Sequence, residues 1–249
     1  MNHPRESILC GVLAVMLLLC GGAAAEECAP QPCESEEGFE SMFNGEDLSG
    51  WEGLPGAWWV EDGAITAEST PEQPCTQSHY LMWRGGEPAD FELRLKYRIS
   101  GEGGNSGIQV RSLELPDWDT YGYQADFDVE GQWTGALFEH KRGGIAMRGE
   151  DVTIDADGTR HVASLGDADE LLRHVHPDDW NEYHVLARGN EVILSINGVR
   201  MARVVDNEEG VLRKGVIGLQ KHAGPPMRVQ FKDLRIRCLD DNDNSTSIP

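Results

Sequence analysis

One segment of the chain alternates so regularly that it constrains the fold class more than any other feature. From Phe91 to Ile99 every odd position is apolar, and every position between, from Glu92 to Arg98, is charged. Successive side chains of a β-strand point to opposite faces of the sheet, so this pattern predicts a strand with one buried and one wet face. The chain is therefore expected to build a sheet that is covered on one side.

Further strand patterns extend this prediction to the whole domain. Glu191–Ile196 and Val199–Val205 flank Asn197-Gly198, a dipeptide that suits a type I′ turn and predicts a β-hairpin. Two more strands are predicted at Val216–Leu219 and Met227–Arg237, and one short helix is predicted at Asp167–His174. Many short strands joined by glycine-rich turns indicate an all-β sandwich or jelly roll.

The N-terminus predicts export. Arg5 precedes an apolar run from Ile8 to Leu19, and Ala23-x-Ala25 fits a signal-peptidase site, so residues 1–25 are predicted to be a signal peptide. This run is too short to span a bilayer, and no later segment is long enough. The predicted location is periplasmic or secreted. Lipoprotein processing at Cys20 is the less favoured alternative, because Leu19 stands where a small residue is expected.

The remaining chain divides by composition. Residues 26–37 are rich in Pro, Cys and Glu and are interpreted as a linker, residues 38–239 as one domain, and residues 240–249 as a disordered polar tail. The cysteines that remain after cleavage are Cys28, Cys33, Cys75 and Cys238. An even number in an oxidising compartment suggests disulfides, and three connectivities stay open.

The formal net charge of -22 limits the classes of partner. A chain this acidic is repelled by nucleic acid and by anionic lipid. We therefore expect no nucleic-acid partner, and a substrate that is neutral or cationic.

Alternation also assigns side chains to faces in three other predicted strands. Ile108, Ala125 and Leu219 are core candidates, which leaves polar neighbours on the opposite face. Those neighbours are Gln109, Arg111, Gln124, Asp126, Asp128, Gln220 and His222. On a curved sheet such groups can converge into a polar groove that suits a sugar. The alternative is an ordinary solvated face, although such a face would favour Lys and Glu over Gln and His.

Eight segments carry a resemblance to a known family. They are FESMFNGEDLSGWEG (39–53), WWVEDGAITAE (58–68), DFELRLKYRIS (90–100), GGNSGIQVRS (103–112), GYQADFD (122–128), TGALFE (134–139), WNEYHVLARGNEVILSINGV (180–199) and GVIGLQKHAGPPMRVQFKDLRIR (215–237). In this order they are similar to the 3-keto-disaccharide hydrolase domains. The resemblance implies a concanavalin A-like or LamG-like jelly-roll β-sandwich that is often exported and that cleaves 3-keto-glycosides.

That chemistry defines what the site must contain. A ketone at C3 acidifies the C2 proton, a base removes it, and the enolate expels the C1 substituent by β-elimination; later addition of water would give net hydrolysis. The site needs a base, a group that stabilises the enolate oxygen and an acid for the leaving group.

Candidate residues for these roles follow from their chemistry. His222 is the base candidate, because the ordinary pKa of histidine lies near neutral pH. The other catalytic candidates are Arg111 and Lys141 for the enolate, and Asp126 or Glu139 as acid, base or metal ligand. The candidates for binding the sugar are Asn105, Gln109, Gln124 and Gln220 through hydrogen bonds, and Trp133, with Trp118 and Trp51, through stacking. Gly104–Gly107 is predicted to be a turn.

Some assignments remain open. No cofactor is required by this scheme, although Asp126 and Asp128 could hold a divalent cation that polarises the ketone. The stretch 139–142 and Lys221 depart from the family pattern, which puts the role of 139–142 in particular doubt. A glycosidase with paired carboxylates, a non-catalytic carbohydrate-binding module and a surface adhesion protein are the alternative functions. A sugar 3-oxidase would be the functional partner of the enzyme, because it would supply the ketone.

Overall fold

The computed structural model describes Met1 and residues 38–239, and this part of the chain forms two β-sheets. In spatial order the ten-stranded sheet contains β12 (Arg160–Ser164), β11 (Glu150–Ile154), β15 (Val199–Asp206), β14 (Glu191–Ile196), β13 (Asn181–Arg188), β6 (Phe91–Gly101), β17 (Met227–Cys238), β4 (Ala64–Ser69) and β3 (Trp59–Glu61), with β1 (Glu40–Ser41) paired to β17. The seven-stranded sheet contains β10 (Gly143–Ala146), β9 (Leu137–Glu139), β8 (Asp119–Asp128), β7 (Asn105–Leu115), β16 (Val216–Lys221), β5 (His79–Trp83) and β2 (Trp51–Glu52). A short helix, α1 (Ala168–Leu172), and a 3₁₀ turn at Pro116–Trp118 complete the described elements.

The core lies between the two sheets. In β6 the odd residues from Phe91 to Ile99 are buried, as the alternation predicts. Phe127, from the seven-stranded sheet, packs against the ten-stranded sheet. The centre of its ring lies 4.0 Å from the ring centre of Tyr97 and 6.0 Å from that of Phe231. Apolar area removed from water in this way stabilises the sandwich by about 25 cal/mol per Å². The predicted all-β jelly-roll sandwich is confirmed.

Local predictions hold where turn chemistry and helix capping are strong. Asn197 and Gly198 both have positive φ, 50° and 78°, as a type I′ turn requires, and they join β14 to β15. The predicted helix is shorter than its pattern, and the Asp167 carboxylate caps it by accepting from the backbone N–H groups of Asp169 and Glu170. One prediction is wrong: residues 105–107 begin β7 rather than forming a turn.

A bulge in β7 bends the β7–β8 hairpin. The pairing register shifts between Val110 and Leu113, where Arg111 adopts a φ of 46°. Beyond the bulge the hairpin tip lies next to β5, and Glu114 forms an ion pair with Arg84, the residue after β5, through a 2.9 Å hydrogen bond. The bulge therefore places the tip beside the outer face of the seven-stranded sheet.

The predicted signal peptide, linker and tail, together with Cys28 and Cys33, lie outside the described residues. Among the described residues, the buried Cys75 thiol forms no disulfide and donates to the Gln77 carbonyl oxygen at 3.2 Å. No helix in residues 38–239 has the length and hydropathy needed to cross a bilayer.

Candidate functional site

The outer face of the seven-stranded sheet carries a group of buried and half-buried polar side chains. Leu81, Ala125 and Leu219 point into the core, so their strand neighbours point away from it. We call the resulting set the polar cluster, and it consists of Tyr80, Asn105, Gln124, Asp126 and Gln220. These side chains come from β5, β7, β8 and β16, which are adjacent strands of the sheet.

Hydrogen bonds join the cluster across the strands. Gln124 Nε2 donates to Asp126 Oδ1 at 2.6 Å and to Gln220 Oε1 at 3.2 Å. Gln220 Nε2 donates to the Tyr80 hydroxyl at 2.9 Å, and that hydroxyl donates to Gln124 Oε1 at 3.2 Å. Asn105 Nδ2 completes the set with a long contact of 3.4 Å to Asp126 Oδ1. The amides are thus held in fixed orientations by one another.

Gly107 makes this arrangement possible. It lies on β7 directly opposite Asp126 in the register, between β8 and β16. A Cβ at this position would stand 2.6 Å from Gln124 Cγ and 2.8 Å from its amide nitrogen. The absence of a side chain therefore leaves the space through which Gln124 reaches Gln220.

Asp126 has the properties of a proton acceptor. Its side chain is 4 % exposed, and burial raises the pKa of the carboxyl to about 7, with a further contribution from the negative charge of Asp128. The hydrogen bonds from Gln124 and Asn105 oppose the rise because they favour the carboxylate. Both of these bonds go to Oδ1, so Oδ2 accepts none from the described residues.

Tyr80 is a proton donor on the other side of the cluster. Burial raises the pKa of its phenol to about 12, which keeps the hydroxyl protonated at neutral pH. His140 Nε2 lies 3.1 Å from this hydroxyl, and the His140 side chain is exposed. A titratable group at the surface is thereby linked to the buried cluster.

Aromatic side chains line the edge of the cluster, and we call them the aromatic row: Trp133, Phe138 and His140. The Trp133 and Phe138 rings are 5.9 Å apart and perpendicular, and the Phe138 and His140 rings are 5.8 Å apart. Phe138 pairs with Gln124 in the register of β8 and β9, so it lies on the same face. Partly exposed aromatic side chains beside buried hydrogen-bonding groups suit a ring that is apolar on one side and polar at its edge.

Gln109 shares this face but does not join the network. Its side chain is fully buried, and neither its amide nitrogen nor its amide oxygen has a hydrogen-bond partner among the described residues. A buried amide without partners costs about 1–3 kcal/mol, which is unusual for a purely structural position. Gln109 therefore adds unused hydrogen-bonding capacity beside Gln124, its cross-strand neighbour.

Arg111 lies away from the cluster, because the bulge redirects its side chain. Its guanidinium is fully buried and donates to the carbonyl oxygens of Ala89 and Gly189 and to the Asp90 carboxylate, all within 2.9 Å. These contacts tie β7 to the beginning of β6 and to the β13–β14 turn. Arg111 therefore has a structural role and is not part of the polar cluster.

Glu139 and Lys141 also lie elsewhere. Glu139 pairs with the core-facing Tyr123 in the register, and its carboxylate accepts from Arg142 Nε at 3.0 Å. The Lys141 ammonium sits 4.1 Å from the centre of the Tyr121 ring. These two residues belong to the opposite face of β8 and β9.

His222 follows Gln220 by two residues, just after β16 ends at Lys221. Its half-buried ring contacts the Ala223 carbonyl oxygen, and it has no hydrogen bond to Asp126. The base candidate that the structure joins to the other polar groups is therefore Asp126 rather than His222.

The proposed metal pair is not arranged as a cation site. The Asp128 carboxylate accepts from the backbone N–H groups of Gln132, Trp133 and Thr134 and from the Thr134 hydroxyl, and it thereby organises the loop after β8. Among the described residues, no group of three or more His, Cys, Asp or Glu side chains is placed to hold a metal ion.

Sequence reasoning missed Tyr80, Phe138 and His140 as parts of this face. Tyr80 alternates with the core residue Leu81, and that short pattern was the available signal. For Phe138 and His140 no local pattern points outward, because β9 is only three residues long. Their position depends on pairing with β8.

The fold and this site define a β-sandwich domain with a buried polar cluster beside aromatic side chains. The chain belongs to the family described as the 3-keto-alpha-glucoside-1,2-lyase-like domain, whose sequence model matches residues 38–237, and it is therefore a carbohydrate-active domain. No curated protein sequence matches the chain.

Solved structures with the same fold support the architecture. A putative glycosyl hydrolase from Parabacteroides distasonis ATCC 8503, solved at 1.70 Å, is 21 % identical with a TM-score of 0.55, covering 82 % of this chain and 95 % of that one. A second putative glycosyl hydrolase from the same organism is 19 % identical with a TM-score of 0.56 and covers 81 % and 99 %. Carbohydrate-binding module CBM66 from Bacillus subtilis is 15 % identical with a TM-score of 0.50 and covers 76 % and 95 %.

Proposed function

We propose that this protein cleaves the glycosidic bond of 3-keto-glycosides by elimination, with Asp126 as the base. The observation that carries the proposal is a buried carboxyl with a pKa of about 7, held by two amides beside an aromatic row. A base whose pKa lies near the working pH combines a large ionised fraction with enough strength to take a proton from carbon. The family supplies the type of substrate.

The chemical step uses groups of the polar cluster. Asp126 Oδ2, the oxygen without a hydrogen bond, takes the proton from C2 of the oxidised ring. The electron pair of that C–H bond forms the C1–C2 double bond while the C1–O bond breaks, and the leaving oxygen takes a proton from a nearby donor. The Tyr80 hydroxyl and His140 are the donors available on this face.

Substrate binding uses the neighbouring side chains. A pyranose ring stacks on the aromatic row, where Trp133 and Phe138 present ring edges and faces. The half-buried amide of Asn105 hydrogen-bonds a sugar hydroxyl or the C3 ketone. A hydrogen bond to the ketone oxygen strengthens as negative charge develops on it, which lowers the barrier to enolate formation.

Release of the leaving group from a 4-nitrophenyl 3-keto-glucoside tests this function. Purified wild-type protein should liberate nitrophenol, and the Asp126→Asn variant should do so at a rate at least about 100-fold lower, the usual contribution of a general base. Glu130→Gln, which removes an exposed carboxylate in the loop after β8, is the matched control and should retain the wild-type rate. Equal rates for wild type and Asp126→Asn would refute the assignment of the base.

The second candidate is a non-catalytic carbohydrate-binding module. Its support is the similarity of the fold to CBM66 and the low exposure of Asp126. Calorimetry with the intact keto-glycoside, followed by analysis of the recovered sugar, separates the two functions. Binding with quantitative recovery of unchanged sugar would favour the module.

The reaction places the protein after an oxidation. A 3-keto-glycoside arises only when the C3 hydroxyl of a glycoside loses two electrons and two protons, so a sugar 3-oxidase or dehydrogenase must act first. Export through residues 1–25 would put this protein in the periplasm or outside the cell, and detection of the mature protein beginning at Glu26 in that fraction tests this prediction.

A further inference from the structure

A cavity that is open to solvent lies at the edge of the seven-stranded sheet, away from the aromatic row. It has a volume of about 570 Å³ and lies between the loops at residues 54–57 and 73–77 and the tip of the β7–β8 hairpin. We call it the edge cavity, and Trp118, His79 and Lys221 are among the residues that line it. Its volume is large enough for a monosaccharide ring.

Lys221 brings an unpaired positive charge to the edge cavity. The side chain is half-buried, and its ammonium forms no ion pair or hydrogen bond with the described residues. The chain as a whole carries a net charge of -22, so carboxylates are abundant enough to pair most cations. The ammonium of Lys221 is therefore free to pair with an anion that is not part of this chain.

His79 lies opposite Lys221 in the register of β5 and β16. The side chain is 7 % exposed, and its Nδ1 has no hydrogen-bond partner among the described residues. Burial and, to a smaller extent, the charge of Lys221 lower the pKa of the imidazole to about 4. His79 is thus a neutral polar group at neutral pH, and Lys221 is the cation of the pair.

Trp118 is held at the cavity by strained backbone. Asp117 and Trp118 both adopt a φ of 62°, a left-handed conformation that is uncommon for residues other than glycine. Such conformations are energetically unfavourable and are found chiefly where the surrounding structure or a function requires them. Here the strained tip places a half-buried indole in the wall of the edge cavity, where it can stack against a ring.

From these observations we infer that the edge cavity binds a sugar that carries a carboxylate, such as a hexuronic acid. The indole of Trp118 packs against the ring, and the Lys221 ammonium pairs with the carboxylate. The lining amides of Gln73 and Gln77 and the Asp117 carboxylate are available for the hydroxyls. One unpaired ammonium matches a ligand with one negative charge. The inference does not depend on the proposed cleavage reaction.

Calorimetry with two matched sugars tests this site. Methyl β-D-glucuronide should bind the wild-type protein at least about tenfold more tightly than methyl β-D-glucoside at low salt, since a charge-assisted pair adds more than 1.4 kcal/mol. Lys221→Met should abolish this preference, whereas Lys232→Met, on the ten-stranded sheet and over the Trp180 ring, should keep it. Trp118→Ala should weaken the binding of both sugars.

Three outcomes would overturn the inference: equal affinity for the two sugars, a preference that survives in Lys221→Met, or binding of acetate as tight as that of the glucuronide. Thermal unfolding of each variant shows whether it is folded. If the Lys221 variant does not fold, the imidazole resonances of His79 in the wild-type protein must shift at a glucuronide concentration at least about tenfold below the glucoside concentration that gives the same shift. Asp126→Asn should retain glucuronide binding, so failure of the cleavage reaction and failure of this site are distinguishable.

Discussion

Gln124 Nε2 donates a 2.6 Å hydrogen bond to Asp126 Oδ1, two residues further along the same strand. The same nitrogen contacts Gln220 Oε1 at 3.2 Å, so one amide orients a carboxyl on β8 and another amide on β16. The pKa of Asp126 therefore depends on the hydrogen bond from Gln124. Substitutions at or beside each residue can test the two roles separately.

The free energy of unfolding should depend on pH because the pKa of Asp126 is raised in the folded state. The folded state holds this proton up to about pH 7, whereas the unfolded carboxyl loses it near pH 3.8. Between these values the native state binds more protons than the unfolded state, so its stability falls as pH rises, by up to about 1.4 kcal/mol per pH unit. Asp126→Asn removes this contribution and can still accept from Gln124 through its amide oxygen.

Urea unfolding of both proteins from pH 4 to pH 8 measures the effect. The free energy of unfolding of Asp126→Asn minus that of the wild type should increase across this range and level off above pH 7. In the Glu130→Gln control the difference should stay flat, because that carboxylate is exposed. A flat difference for Asp126→Asn as well would mean that Asp126 titrates normally.

The pH dependence of the activity should also report the pKa of Asp126, because only the ionised carboxylate can accept a proton. If Asp126 is the base, kcat/KM for the 3-keto-glucoside rises with pH and levels off above an apparent pKa near 7. A rate that is constant between pH 5 and pH 8 would exclude this carboxyl as the base. Initial rates in buffers of constant ionic strength are sufficient for the measurement.

Gly107→Ala should disturb the site without changing any polar group. The new methyl would lie within 3 Å of three atoms of Gln124, so that side chain must move from Asp126 and Gln220. Loss of the Gln124 hydrogen bond removes an interaction that lowers the pKa of Asp126, so the pH profile should shift upward and the rate at pH 7 should fall about tenfold.

Gly218→Ala is the matched control for this substitution. Gly218 lies on β16, and the three atoms nearest to its new methyl would be the Met82 sulfur at 3.2 Å, the Leu81 carbonyl oxygen at 3.5 Å and Gln109 Cβ at 3.6 Å, none of which belongs to Gln124. Its pH profile should stay unchanged. An identical upward shift in both variants would show that any added methyl on this sheet has the effect.

Arg142→Met should destabilise the fold without altering the pH profile of the reaction. Arg142 donates to Glu139 at 3.0 Å and to Asp206 at 2.8 Å, and these carboxylates are 3 % and 1 % exposed. Removing the cation leaves two buried carboxylates uncompensated, for which we expect a loss of about 3–5 kcal/mol. Urea denaturation measures it.

The control for that loss is Arg173→Met, which removes an exposed pair with Glu170 within one helical turn. Such surface pairs contribute about 0–1 kcal/mol. If the two variants lose the same free energy, the Arg142 network is no more important than a surface ion pair. A changed pH profile in Arg142→Met would return Glu139 to the list of catalytic candidates.

Much of the fold could be predicted because local sequence patterns determine its strands and turns. The alternation of Phe91–Ile99 specifies which face of β6 is buried. Asn197 and Gly198 readily adopt the positive φ angles of a type I′ turn, so this dipeptide specifies the β14–β15 hairpin. The same alternation placed Gln124, Asp126 and Gln220 on one face. A period of two residues is a property of the strand itself, so no tertiary information is needed.

The failures occur where a side chain's direction depends on a neighbour rather than on its own strand. Arg111 occupies an outward position by count, but the bulge turns it toward Asp90 and Gly189. His140 reaches Tyr80 only because β9 pairs with β8 on one side and the sheet brings β5 near on the other. Neither event has a signature within a few residues of the chain.

The sequence by itself determined that this protein is an all-β sandwich and which strand faces carry amides and carboxylates, because alternation and turn chemistry act locally. Only the tertiary structure decided that Asp126 is buried among those amides, with a pKa of about 7, while Arg111 and Glu139 are committed to structural ion pairs. Burial and partners are set by what other strands place nearby. They therefore exist only once the sheets have assembled.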